Sequence, residues 1–200
     1  MIATGLSHAL AVAISAAPGA DEHLLAGAGA FRDGHFDAAL VEFRVAERLG
    51  ASDAGAYAAA SLVQLGRPEE AVEAFASSPS GDDDLLDWYR ALACYEARLY
   101  TCASRLATRL QLSGPKAASA VAKLRADLAR VLAPEPQQAS IDWYFARCDD
   151  LRQRGRGALA AAYCREAADL GERRTDRYGV ARASAVLTRP DPGARHEVKP

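Results

Sequence analysis

The chain has little lysine, few aromatics and no metal-binding or nucleotide-binding signature. Of its 24 basic residues only three are lysine, and the remaining 21 are arginine. The formal net charge is −2, so no global basic field attracts nucleic acid, and no nucleic-acid partner is expected. Four histidines (His8, His23, His35 and His196) lie far from any Cys-x-x-Cys or His-Glu-x-x-His pattern, so no metal ligand is expected. Gly-x-Ser-x-Gly, a phosphate-binding glycine loop and the dinucleotide fingerprint are all missing. No catalytic residue and no cofactor is therefore expected, and the chain reads as a non-enzyme. Adjacent acids such as Glu69-Glu70 and Asp149-Asp150 read as helix surface. No apolar run is long enough to span a bilayer, so no transmembrane segment is expected.

What is present is a pattern. Gly34-His35-Phe36-Asp37-Ala38-Ala39 leads into Phe43 and Ala46. Glycine suits a tight interhelical turn, and Ala39, Phe43 and Ala46 share one helix face at i, i+4 and i+7. Thirty-two residues on, Gly66-Arg67-Pro68 leads into Ala71 and Phe75. After the same interval Arg98-Leu99-Tyr100 leads into Ala103, with Arg98 in the glycine column and Ala107 in the phenylalanine column. A period in the low thirties built from helix pairs predicts an αα-solenoid. The expected helices are 21–33, 36–49, 53–65, 68–77, 85–97, 99–112, 116–133, 139–153 and 158–170, with a terminal cap over 172–187. Residues 116–133 contain no turn and break the period. Asp82-Asp83-Asp84 lacks calcium-loop spacing and is expected to cap the helix that follows.

These motifs resemble the tetratricopeptide repeat family. The resemblance is strongest over 20–79, weaker over 84–112, and returns as a decayed copy over 142–171. It implies an all-α fold: a right-handed superhelix of αα-hairpins with an irregular extra helix and a degenerate C-terminal repeat, over residues 21–187. In that family the first helices of successive repeats line a groove for a peptide or partner domain. The groove residues so implied are Leu24, Ala28, Phe31 and Arg32, then Ala56, Ala60, Val63 and Gln64, then Trp88, Leu92, Tyr95 and Glu96. The basic clamp that some members use to grip acidic C-termini is missing from these positions.

Residues 1–20 stand apart. An apolar run from Ala9 ends in Ser15-Ala16-Ala17 and Pro18-Gly19, small residues placed as a signal peptidase requires. No lysine or arginine precedes the run, and a helix capping the first repeat is the alternative. The tail 188–200 carries three prolines and reads as disordered. The four cysteines allow three pairings. Residues equidistant from a hairpin turn face each other, which favours Cys94–Cys102 about Arg98 and Cys148–Cys164 about Arg156. Such bridges require an oxidising compartment, whereas four free thiols in a cytosolic protein are the alternative. Residues 1–112 hold 15 acids and 8 bases, net −7, against net +5 for 113–200; solvated helix faces account for such drift. The expected role is a protein–protein interaction module of a bacterial envelope, periplasmic or secreted. The alternatives are a ligand-sensing regulatory subunit with an apolar pocket around Trp88, or a cytoplasmic scaffold.

Overall fold

The computed structural model describes residues 19–78 and 83–174. Among the described residues it is all helical, with α1 (Ala20–Arg32), α2 (Phe36–Arg48), α3 (Ala54–Gln64), α4 (Pro68–Ser77), α5 (Asp84–Glu96), α6 (Tyr100–Arg109), α7 (Pro115–Leu132), α8 (Gln138–Gln153) and α9 (Gly157–Arg173). The expected leader, the terminal cap beyond residue 174 and the tail lie outside the described residues.

One turn closes four helical hairpins, and the same pair of bonds recurs at Gly50 between α2 and α3. Gly34, Gly66, Arg98 and Gly155 have φ of 80°, 68°, 64° and 72°. In each turn that residue's N–H donates to the carbonyl three residues back, and the next N–H donates to a carbonyl five back. The pairs are Gly34 to Phe31 and His35 to Ala30, Gly66 to Val63 and Arg67 to Leu62, Arg98 to Tyr95 and Leu99 to Cys94, and Gly155 to Arg152 and Arg156 to Leu151. These bonds satisfy the carbonyls left over at each helix C-terminus. In the last hairpin the left-handed residue is Gly155, one position before the Arg156 expected from cysteine symmetry.

Because the turns match, the flanking side chains fall in columns. Five residues after the turn residue stand Ala39, Ala71, Ala103 and Ala160, each at most 1% exposed. Nine after it stand Phe43, Phe75, Ala107 and Cys164, and seven before it Gly27, Ala59, Ala91 and Cys148, all buried. The two latter columns meet across the hairpin. A Cβ added to Gly27 would come within 2.7 Å of the Phe43 ring, so the small residue exists to admit the aromatic one. In the fourth hairpin the same two positions are joined by the Cys148–Cys164 disulfide, with Cα atoms 5.4 Å apart.

Arg98 is the one non-glycine residue with positive φ among the described residues. Left-handed backbone costs an L-residue about 1–2 kcal/mol, so Gly66→Ala is expected to lower stability by about that amount. Arg98→Gly is expected to raise stability by about 0.5 kcal/mol, because the freedom glycine gains in the unfolded chain offsets part of the relief. Urea unfolding of the two variants checks both signs.

Packing follows chain order from α1 to α7: each helix contacts the next, and α5 also touches α3. α3 is the most enclosed, with nine residues from Ala54 to Val63 buried. Several helix termini are capped from side chains. Asp83 accepts from the N–H of Leu85 (2.8 Å) and Leu86 (3.3 Å), as expected for the acidic run before α5. Arg125 of α7 donates to the carbonyls of Ala107, Thr108 and Leu110. That cap, with Gly114 and Pro115 following, ends α6 at Arg109 rather than near residue 112. The cap of α6 at its other end is described below.

The C-terminal hairpin departs from the expected continuation. α8 and α9 pack on each other, and α9 then lies against α4 and α6, the second helices of the second and third hairpins. The fourth copy of the turn is therefore present, but its hairpin folds back on earlier helices instead of following α6 in order.

Candidate functional site

The C-terminal hairpin is held by polar groups that are partly or fully withdrawn from water. Glu69 of α4 accepts two hydrogen bonds from Arg147 of α8, at 2.8 and 2.9 Å, and the Tyr163 hydroxyl donates to it at 2.9 Å. Glu73, one turn on, accepts from Arg156 at 2.9 and 3.1 Å. Burial works to lift the Glu69 carboxyl, but hydrogen bonds from Arg147 and Tyr163 and the nearby arginine charges leave it below the ordinary range. Arg147 reaches both Glu69 oxygens from one terminal nitrogen, and Arg156 places two nitrogens on one Glu73 oxygen, so each pair is held by two charge-assisted bonds. The third turn is pinned too: Tyr144 donates to the Arg98 carbonyl at 2.5 Å, and the Tyr163 hydroxyl lies 3.1 Å from that of Ala97. Burial raises both phenols well above their usual values. The acidic bias of the first half and the basic bias of the second are thus partly spent on joining them, rather than only on solvated surface.

The most enclosed polar contact is Glu166 of α9, at 1% exposure. Its Oε1 accepts from the Thr101 N–H (2.8 Å), and its Oε2 lies 3.2 Å from the Cys102 nitrogen and 2.6 Å from Thr101 Oγ1. This carboxyl is the missing N-terminal cap of α6, supplied from 65 residues away. Asp169 Oδ2 lies 2.8 Å from the same Thr101 oxygen and 2.7 Å from Arg105. One hydroxyl proton cannot serve two carboxylates. The chain of contacts closes if Glu166 carries a proton, donates to Thr101 Oγ1, and Thr101 donates to Asp169. Burial, with Asp169 nearby, raises the Glu166 pKa, against the opposing bonds from Thr101 and Cys102.

The expected groove residues divide into three groups. Leu24, Phe31, Trp88, Leu92 and Tyr95 are half-buried, while Ala28, Arg32, Gln64 and Glu96 are exposed. Ala56, Ala60 and Val63 are at most 5% exposed. The structure places Val63 inside the core, because α3 is enclosed between its neighbours, so the middle of the expected groove is not an open wall. Above it, side chains of three first helices meet. The Phe31 ring is edge-on to Tyr89 at 5.5 Å, and Gln64 Nε2 donates to the Tyr89 hydroxyl at 3.3 Å. Tyr95 stands edge-on to Tyr100 at 5.8 Å. Trp88 packs against the core.

A sizeable cavity lies elsewhere, at the start of α8. It measures about 800 Å³ and is lined by Trp143, Tyr144, Tyr100, Pro134, Arg98 and Arg173, among others. Trp143 is 48% exposed and stands edge-on to Tyr144 at 4.9 Å. This cavity is lined by the second Trp-Tyr pair, Trp143-Tyr144, and Trp88 is not among its lining residues.

All four cysteines are paired, Cys94 with Cys102 and Cys148 with Cys164, with Cα separations of 6.0 and 5.4 Å. Among the described residues no cluster of His, Cys, Asp or Glu is arranged to hold a metal ion, and no helix is long and apolar enough to cross a membrane. No protein-family model, curated protein or solved structure matches the chain.

Proposed function

We propose that the chain is a non-enzymatic interaction module of the tetratricopeptide kind, a right-handed helical superhelix that works in an oxidising compartment such as the bacterial periplasm. There it would help assemble or tether an envelope complex. The observation that carries this is the fourfold use of one hairpin turn with matched small-residue columns, which is how stacked repeats are built. The two bridged cysteine pairs support the oxidising compartment. The face offered to a partner is the strip across α1, α3 and α5, with Phe31 and Tyr89 as its aromatic centre and Arg32, Gln64 and Glu96 at its rim. Val63 is not part of it. A photo-crosslinking residue placed at Arg32 or Gln64 should capture one specific envelope protein, and the same residue at Lys123 on α7 should not. Equal capture from both positions would sink the proposal.

A second reading, a regulatory subunit that senses a peptide or small molecule, is favoured by the Trp143 cavity, whose volume suits a bound ligand. Trp143→Ala is then expected to weaken ligand binding by about 2 kcal/mol while leaving the melting temperature nearly unchanged, since the ring is half exposed. Tryptophan fluorescence titration against the Trp88→Phe background isolates the Trp143 signal. Unchanged Trp143 emission on binding would return the function to the α1–α3–α5 strip.

A further inference from the structure

We propose that a smaller cavity between α4, α6 and α9 binds an organic anion, a carboxylate or phosphate monoester head carried on a short apolar body. This goes beyond the interaction role and uses neither the α1–α3–α5 strip nor the Trp143 cavity. The cavity measures about 340 Å³, toward the lower end of the sizes that hold small ligands. Four guanidinium groups line it: Arg90 from α5, Arg105 and Arg109 from α6, and Arg165 from α9. No carboxylate is among its lining residues, although the whole chain is net acidic.

The arginines are not equivalent. Arg90 is held over the Phe75 ring at 5.0 Å and tied to Asp87 at 2.7 Å, and Arg105 is tied to Asp169 at 2.7 Å. Those two are already oriented. Arg109 and Arg165 make no hydrogen bond or ion pair with the described residues. Arg105 and Arg109 stand at i and i+4 on α6, a like-charge spacing that weakens a helix unless an anion lies between. Planar guanidinium forks match the paired oxygens of a carboxylate or phosphate. Phe75, Leu106 and Ala162 add apolar lining, which suits a short hydrocarbon body rather than a bare inorganic ion. Cys94 and Cys102 both line the cavity, so an occupant covers their bridge.

The test uses the full oxidised chain with hexanoate, hexyl phosphate, inorganic phosphate and neutral hexanol as probes, measured by calorimetry. At least one of the two amphipathic anions should bind, more tightly than inorganic phosphate, and hexanol should not; the tighter of the pair identifies the head group. Arg109→Gln with Arg165→Gln should weaken binding about tenfold or more, while Lys116→Gln with Lys123→Gln on α7 should not. Circular dichroism of each variant shows that it is folded. A saturating anion should also slow reduction of Cys94–Cys102 by dithiothreitol and leave Cys148–Cys164 unaffected. Failure of both anions to bind at millimolar concentration, hexanol binding as well as hexanoate, or undiminished affinity in the double arginine variant would each overturn the proposal. None of these outcomes depends on which face engages a protein partner.

Discussion

Glu166→Ala is expected to lower stability by about 3–4 kcal/mol, because it strips two buried N–H groups of their acceptor and leaves a gap between α6 and α9. Thr101 and Cys102 open α6, where backbone donors have no partner within the helix. With the carboxyl gone, water cannot easily replace it at a site 1% exposed. Urea unfolding checks the loss. Glu166→Gln should cost much less, since the amide keeps one acceptor oxygen and adds a donor. The two substitutions also separate in their pH dependence. The folded pKa of Glu166 is raised, so the stabilisation from this group is complete below the ordinary glutamate value of about 4.3. It is lost as pH rises through the folded value. Wild type should therefore lose stability relative to Glu166→Gln between mildly acidic and neutral pH. A constant difference across that window would show that Glu166 is ionised in the native state.

Removal of the Cys148–Cys164 bridge is expected to have the next largest effect. The cysteines are 16 residues apart in sequence, and closing such a loop contributes about 3 kcal/mol by chain entropy. Both are 1% exposed, at the positions where the first hairpin sets Gly27 against Phe43. Cys148→Ala with Cys164→Ala should lose the bridge and leave a void. Cys148→Ala with Cys164→Phe rebuilds the pairing of Ala59 with Phe75 and should recover part of the loss under reducing conditions. Thermal unfolding with and without reductant distinguishes the two. If the aromatic variant is no better than the double alanine, the fourth hairpin does not share the packing of the second.

The helices and their turns were legible because periodicity and turn residues are local signals. Gly34, Gly66 and even Arg98 could be placed from spacing alone, and so could both cysteine pairs, since they follow from the turns they straddle. What the chain does after α7 was not legible. The repeat of the turn near Gly155 suggested one more layer, but which surface a hairpin meets depends on contacts such as Glu69 to Arg147, 78 residues apart. A single sequence does not mark such pairs. One trace was visible: Glu166 interrupts an otherwise apolar face of Tyr163, Cys164, Ala167 and Leu170, and an acid in that setting asks for buried donors. The exposure of the groove candidates was not legible either: Val63 is enclosed because burial of α3 arises from its neighbours on both sides.

The return of α9 onto α4 and α6 has a consequence for competition. A tethered hairpin faces its docking surface at a high effective concentration, of millimolar order for a short connection. Any outside protein seeking the same surface must outcompete a resident that never diffuses away. The surfaces of α4 and α6 that meet α9 are in this sense self-occupied.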